Sequence, residues 1–113
     1  MSEYCLFCKI VEGEIPVNIL YEDEDVIAFN DINPQAPMHF LVIPKKHLSG
    51  PEDVDTEDER VAGKLMRVGN EIALQEGFPQ YRVVVNNGPQ AGQTVFHLHM
   101  HILGGRDMIW PPG

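Results

Sequence analysis

The sequence predicts one α+β domain with an antiparallel sheet, spanning residues 1–113. Two observations carry that expectation. The length suits a single core that buries roughly two-thirds of the unfolded chain's surface, and β-prone runs flank one long helical pattern instead of alternating with helices. A third observation, three histidines at alternate positions near the C-terminus, gives one strand two chemically different faces.

The run VNILYEDEDVIAFND, residues 17–31, reads as a hairpin of two β-prone halves around an acidic turn. INPQAP interrupts it with prolines, and HFLVIP at 39–44 resumes as a strand. PEDVDTEDER, residues 51–60, is the most hydrophilic stretch and reads as a solvated loop entering a helix. Thr56 and Glu59 stand at capping-box spacing. After them Val61, Leu65, Val68 and Ile72 recur at helical intervals, with Ala62, Met66, Gly69 and Ala73 in the adjacent row, and Gly77 ends the helix. That apolar face is wide for one helix on one sheet, and its small residues admit a close neighbour, so it serves either the core or a dimer seam. YRVVVNNG, 81–88, is another strand closed by a turn. GPQAGQT, 88–94, is a glycine-bearing loop that feeds the histidine strand.

Seventeen acidic residues against eight basic ones give a formal charge of −9. That balance argues against a broad electrostatic footprint on nucleic acid or anionic membrane, so an anionic ligand must be held by local donors. No apolar run is long enough to span a bilayer, and MSEYCLFCK lacks the basic start and apolar core of a signal peptide, so a cytoplasmic location is expected. In a reducing compartment Cys5 and Cys8 are thiols or metal ligands rather than a structural disulfide. Standing alone, the CxxC spacing is redox-active, metal-binding or incidental, and no strand-then-helix pattern supports a thioredoxin-like site.

In FHLHMHILGGR, residues 96–106, strand geometry projects His97, His99 and His101 together while Phe96, Leu98, Met100 and Ile102 point into the core. Neighbouring imidazoles would stand about 7 Å apart, a spacing that brackets one phosphate-sized group. A near-neutral pKa lets one ring be an uncharged nucleophile while another donates a proton or carries charge; a carboxylate would repel an anionic substrate. Zinc is the competing ligand for alternate strand histidines.

At these residues the chain resembles the histidine triad family and, within it, the Hint branch of histidine triad nucleotide-binding proteins. The similarity runs through CLFCKIVEGEIP, AFNDINPQAPMHFLVIPKKHLS, LMRVGNEIA, YRVVVNNG, GQTVFHLHMHILGGR and the terminal WPPG. It implies about five antiparallel strands with one long helix and a short N-terminal helix, in a homodimer whose sheet continues across both subunits. It also implies a hydrolase that binds purine nucleotides and cleaves at the α-phosphate, the Hint members acting on adenosine phosphoramidates and aminoacyl adenylates.

By the same resemblance His99 is the nucleophile that forms a nucleotidyl-histidine intermediate, and His101 contacts the α-phosphate. His39 matches a fourth family histidine that supports the triad; from its strand position alone it is equally an ordinary half-buried residue. In the loop, Gly92 lets the backbone approach, while Gln93 and the Thr94 hydroxyl are donors for phosphate oxygens or the leaving group. The family often carries serine at Thr94, so the hydroxyl survives with narrower rotamers. Asp31 matches the ribose-binding carboxylate, Ile32 packs beside it against the base, and Asn86 lies near ribose or phosphate. Phe7, Phe29 and Leu41 complete an apolar base pocket or are simply core.

Some family members hold a structural zinc with a cysteine pair, a histidine matching His47 and the first triad histidine; here these are Cys5, Cys8, His47 and His97. Many Hint proteins lack the cysteines and need no metal, and the chemistry itself requires none. Arg106 and the tail from Trp110 to Gly113 match a C-terminus that reaches the partner subunit's site. Two alternatives to the phosphoramidase stand: a dinucleoside polyphosphate hydrolase sharing the triad, and a non-catalytic nucleotide-binding or scaffolding protein.

Overall fold

The computed structural model describes residues 5–113, so part of the N-terminal segment read for a targeting signal lies outside the described residues. In chain order the elements are α1 (Leu6–Val11), β1 (Ile19–Glu22), β2 (Val26–Asn30), β3 (Met38–Pro44), α2 (Glu59–Gln75), β4 (Tyr81–Val84) and β5 (Met100–Gly104). The five strands form one sheet in the order β1-β2-β3-β5-β4, antiparallel at every pairing. The expected α+β architecture is present, including the short N-terminal helix.

The central strands are buried on both faces, which is why VIAF and HFLVIP read as nearly continuous apolar runs. Val26, Ala28, Phe40, Val42 and Ile102 point to one side, where Leu65, Val68, Ile72 and Ala73 of α2 close the core. Ile27, Phe29, Leu41 and Ile43 point to the other, where Phe7, Cys8 and Ile10 of α1 cover them. At roughly 25 cal/mol per Å² of apolar surface, these two layers supply the driving force that ordering the chain opposes. No helix among the described residues is long and apolar enough to cross a membrane.

Within α2 the two predicted rows separate. Gly69 is buried directly against Ile102, so its lack of a side chain serves close helix-to-sheet packing, while Met66 is 61 % exposed. The helix ends as expected at Gly77, whose φ of +87° suits glycine, and Phe78 N–H returns to Ala73 O at 2.9 Å.

Two expectations need correction. The capping box is formed by Asp55 and Asp58, not Thr56 and Glu59: Asp55 accepts from Thr56 N–H at 2.7 Å, and Asp58 accepts from Asp55 N–H at 3.0 Å. The chain tightens one residue early, into a 3-10 turn over Thr56–Asp58, because the extended residue that an N-cap requires is Asp55. Asp58 is therefore buried and ion-paired to Lys46 at 2.8 Å, so the acidic stretch is not wholly a solvated loop.

The histidine segment is likewise not one continuous strand. β5 begins at Met100, after His97 and His99. Continuing the register Val42↔Met100 would bring Leu98 opposite Pro44, but Leu98 N–H bonds to Leu48 O and the Pro44 carbonyl takes the His97 ring. With those ladder bonds diverted, Phe96 swings outward to 47 % exposure instead of joining the core.

Candidate active site and adjoining Cys–His cluster

Helix α1 lies over the sheet face opposite α2 and makes the roof of a cleft of about 430 Å³, within the usual size range for small-molecule sites. Its apolar wall includes Phe7, Ile10, Phe29 and Leu41; its polar end is Asp31, His99 and His101, with Thr94 on the rim. Phe7 stacks edge-on against Phe29 (centroids 5.6 Å) and against the His99 ring (5.1 Å). A flat apolar slot that ends in imidazoles suits an aromatic base joined to an anionic group.

The His99 ring is fixed by its own backbone neighbour. Nδ1 lies 2.7 Å from the His97 carbonyl, an oxygen that only accepts, so Nδ1 carries the proton and, in the uncharged ring, Nε2 carries the lone pair. The ring centroids of His99 and His101 are 4.9 Å apart, closer than the strand spacing predicts, because His99 lies outside the regular ladder. Burial pushes His101 down to about 4, reinforced by its histidine neighbours His99 and His39. Burial also lowers His39, against the opposing pull of Asp31.

His97 is fully buried and turns away from the cleft. Its Nε2 donates to the Pro44 carbonyl at 2.8 Å, which leaves Nδ1 as a lone pair. That atom is 3.3 Å from Cys5 Sγ, 3.5 Å from Cys8 Sγ and 3.2 Å from His47 Nδ1, while Cys8 Sγ and His47 Nδ1 are 3.2 Å apart. Tetrahedral zinc with ordinary bond lengths would need edges of about 3.3 Å between nitrogens and about 3.6 Å between nitrogen and sulfur. Four of the six edges thus stand within a few tenths of an ångström of a Cys2His2 cage, and all four atoms lie within 4.8 Å of one another, with the His97 tautomer already set by the Pro44 carbonyl.

The HIT domain profile matches residues 12–108. The chain belongs to the HIT domain family. A HIT-like protein of Synechocystis, described as uncharacterised, is 51 % identical over the whole of both chains. The 14 kDa zinc-binding protein of Zea mays is 50 % identical over 96 % of this chain and 87 % of that one. A HIT family hydrolase from Legionella pneumophila, solved by crystallography, superposes with a TM-score of 0.94 at 47 % identity, covering 96 % of this chain and 99 % of that one.

Within this HIT site, sequence reasoning and structure part company at particular residues. Gln93 is buried and fully engaged: its amide donates to Ser49 O (2.7 Å) and Val95 O (3.1 Å) and accepts from Gly88 N–H (2.8 Å). The side chain expected to donate to a ligand instead pins the loop together. Asp31 points one oxygen at the Asn33 amide (2.8 Å) and the other toward His39 (3.5 Å) and His101 (4.0 Å). Ile32 borders the cleft but is 95 % exposed, so it is a rim and not a packed wall. Asn86 lies beside Gly92, whose φ of +99° is what favours glycine there. Arg106 donates to Gln35 O at 2.9 Å, and Trp110, 81 % exposed, lies over Arg82 away from this chain's own cleft. Leu6, Ile15 and Val17 also line the cleft. Their signal was the apolar positions of CLFCKIVEGEIPV, a segment whose short helix only gains meaning once it is folded over the sheet.

Proposed function

We propose that this HIT protein is a nucleotide hydrolase that cleaves purine nucleotides at the α-phosphate, taking adenosine 5′-phosphoramidates and aminoacyl adenylates. The observation that carries the reading is the His99 Nε2 lone pair, held at the polar end of an apolar slot by the Nδ1–H bond to the His97 carbonyl.

The base lies between Phe7, Phe29 and Leu41, and Asp31 faces the ribose, with Ile32 at its margin; Asn86 stands outside this lining, beside Gly92. His99 Nε2 attacks the α-phosphorus; the bond from phosphorus to the leaving group breaks, and that group departs with the bonding pair, a carboxylate as the anion and an amine with a proton taken up from solvent. Water then attacks the phosphorus and gives a proton back to solvent, the bond to Nε2 breaks, and the lone pair returns to His99 as the nucleoside monophosphate leaves. His101 donates to an α-phosphate oxygen, and the Thr94 hydroxyl on the rim faces the leaving group. Gly92 lets the loop backbone approach, while Gln93 keeps the loop in place.

Cys5, Cys8, His47 and His97 would hold a structural zinc, with all four positions filled by protein and none left for a substrate. The His97 carbonyl still orients His99 whether or not its ring binds metal. β4 is an edge strand with Val83 exposed on it and Val85 exposed just beyond its end, and Met66 is exposed on α2, which supports a homodimer joined along that edge. The proposed location is cytoplasmic.

The test is to trap the adenylylated protein from an adenosine phosphoramidate under neutral denaturing quench and to map the label by mass spectrometry. The label is expected on His99, and His99→Ala should lower turnover by several orders of magnitude. A label elsewhere, or full turnover in the variant, overturns the mechanism. Faster turnover of a diadenosine polyphosphate would replace the substrate class and leave the nucleophile in place.

A further inference from the structure

The INPQAP turn looks like a simple interruption between strands, yet it delivers a backbone donor to the site. Gln35 N–H lies 3.0 Å from His39 Nδ1. An amide nitrogen only donates, so His39 Nδ1 keeps its lone pair and an uncharged His39 carries its proton on Nε2. His39 Nε2 lies 2.9 Å from His101 Nδ1. The same logic passes on: His101 Nδ1 accepts, and its single proton stands on Nε2, at the side of the ring remote from His39. A proton on both nitrogens of either ring would set two donors face to face along a line already filled.

The neighbouring carboxylate does not disturb this order. Asp31 Oδ2 is 3.5 Å from His39 Nε2 and 4.0 Å from His101 Nδ1, longer than the ring-to-ring bond, and Oδ1 is engaged by the Asn33 amide. A metal ion among Asp31, His39 and His101 fits less well. It would need the lone pair of His39 Nε2 while Gln35 N–H takes the lone pair of Nδ1, leaving the ring without a proton. The turn is also braced: the Gln35 side chain donates to Asn33 O at 3.1 Å, and Arg106 Nε donates to Gln35 O at 2.9 Å. Pro37 packs so closely on Gly105 that a side chain there would overlap it.

We infer that the Gln35 backbone amide is a positioning group that sets the tautomer of His39 and, through it, holds His101 as an uncharged Nε2–H donor aimed at the cleft. Its catalytic consequence rests on the nucleotide hydrolase reading; the proton order itself does not. A preset N–H meets a phosphate oxygen without reorganisation, and an uncharged ring 4.9 Å from His99 does not draw electron density from the nucleophile.

The experiment is long-range proton–nitrogen NMR of the intact protein near pH 7.5 without nucleotide, with turnover of an adenosine phosphoramidate measured in parallel. The wild type should show His39 and His101 as Nε2–H tautomers. Gln35→Ala keeps the amide and should preserve both Nε2–H signals. Gln35→Pro removes the amide, and should mix the His39 and His101 tautomers and lower kcat roughly tenfold with little change in KM, the value of one hydrogen bond. If that variant misfolds, His39→Gln and His39→Leu decide instead. The glutamine amide still donates to His101 and should preserve its Nε2–H signal, which leucine should lose. An Nδ1–H or doubly protonated His101 in the wild type, or unchanged tautomers in Gln35→Pro, overturns the inference. Correct tautomers in a protein that turns over no nucleotide would instead remove the hydrolase reading and leave the proton order standing.

Discussion

Two glycines of the same helix should respond in opposite directions to the same substitution. At Gly63 an added Cβ meets nothing within 4 Å, so Gly63→Ala should gain only the helix propensity of alanine, about 1 kcal/mol. At Gly69 the new methyl overlaps Ile102 Cδ1 and lies 3.7 Å from Val42 Cγ2. Ile102 is 1 % exposed, so its side chain has no free space to move into and must adopt a strained rotamer or push β5 away from α2. Overpacking of this kind costs about 1–3 kcal/mol, which exceeds the propensity gain. Gly69→Ala should therefore lose about 1 kcal/mol net, and the two variants should differ by about 2 kcal/mol. Urea denaturation followed by circular dichroism measures this if the m-values agree. Equal stabilisation of both variants would show that Gly69 does not abut Ile102 and would sink the packing argument. Because Ile102 and His101 are consecutive on β5 and face opposite sides, Gly69→Ala also tests whether strain on the helix side reaches the cleft.

Acid should destabilise the fold through His101. Its unfolded value is 6.5 and its folded value about 4, so between them the unfolded chain binds a proton that the folded chain refuses; this stability is complete above pH 6.5 and lost as pH falls to about 4. At about 1.4 kcal/mol per pH unit the loss is at most about 3 kcal/mol. Melting curves from pH 7 to 4 should have a shallower acid limb in His101→Gln, and identical limbs would contradict the assignment. Gln93→Leu should cost about 2–4 kcal/mol, since it strands the Gly88 N–H and Ser49 carbonyl; hydrogen exchange at Gly88 should quicken, and an unchanged rate would refute the clamp. Purified protein should carry zinc by elemental analysis, and Cys8→Ser should lose it. At a hundredfold excess of zinc over Kd the wild type should gain about 2.7 kcal/mol that the variant lacks, and no zinc-dependent change in the wild-type Tm would count against the metal site.

The hydrophobic periodicities were enough to mark the hairpin, the strand over 39–44, the long helix and its end at Gly77, because each follows from local alternation and backbone preference. The capping box stands one residue earlier than expected and caps a 3-10 turn ahead of α2, since Thr56–Glu59 and Asp55–Asp58 have the same spacing and only the extended backbone at Asp55 distinguishes them. Phe96 was misassigned because alternation assumes an unbroken strand, whereas Leu48 and Pro44 draw the preceding residues out of the ladder.

The three alternate histidines and the cysteine pair were visible in one dimension, and so was the conclusion that they concentrate chemistry on one side of the chain. Residue types and spacing determine which groups are available and, through burial patterns, the order of layers. Only the folded chain decided how those groups are divided: His97 to the cysteines and His47, His99 and His101 to the cleft, His101 to His39 and the Gln35 amide, and Gln93 to its own loop. The physical reason is that a hydrogen bond or ligand cage depends on distances of about 3 Å between residues up to 92 positions apart, and such distances are set by packing the helices on the sheet rather than by any local pattern.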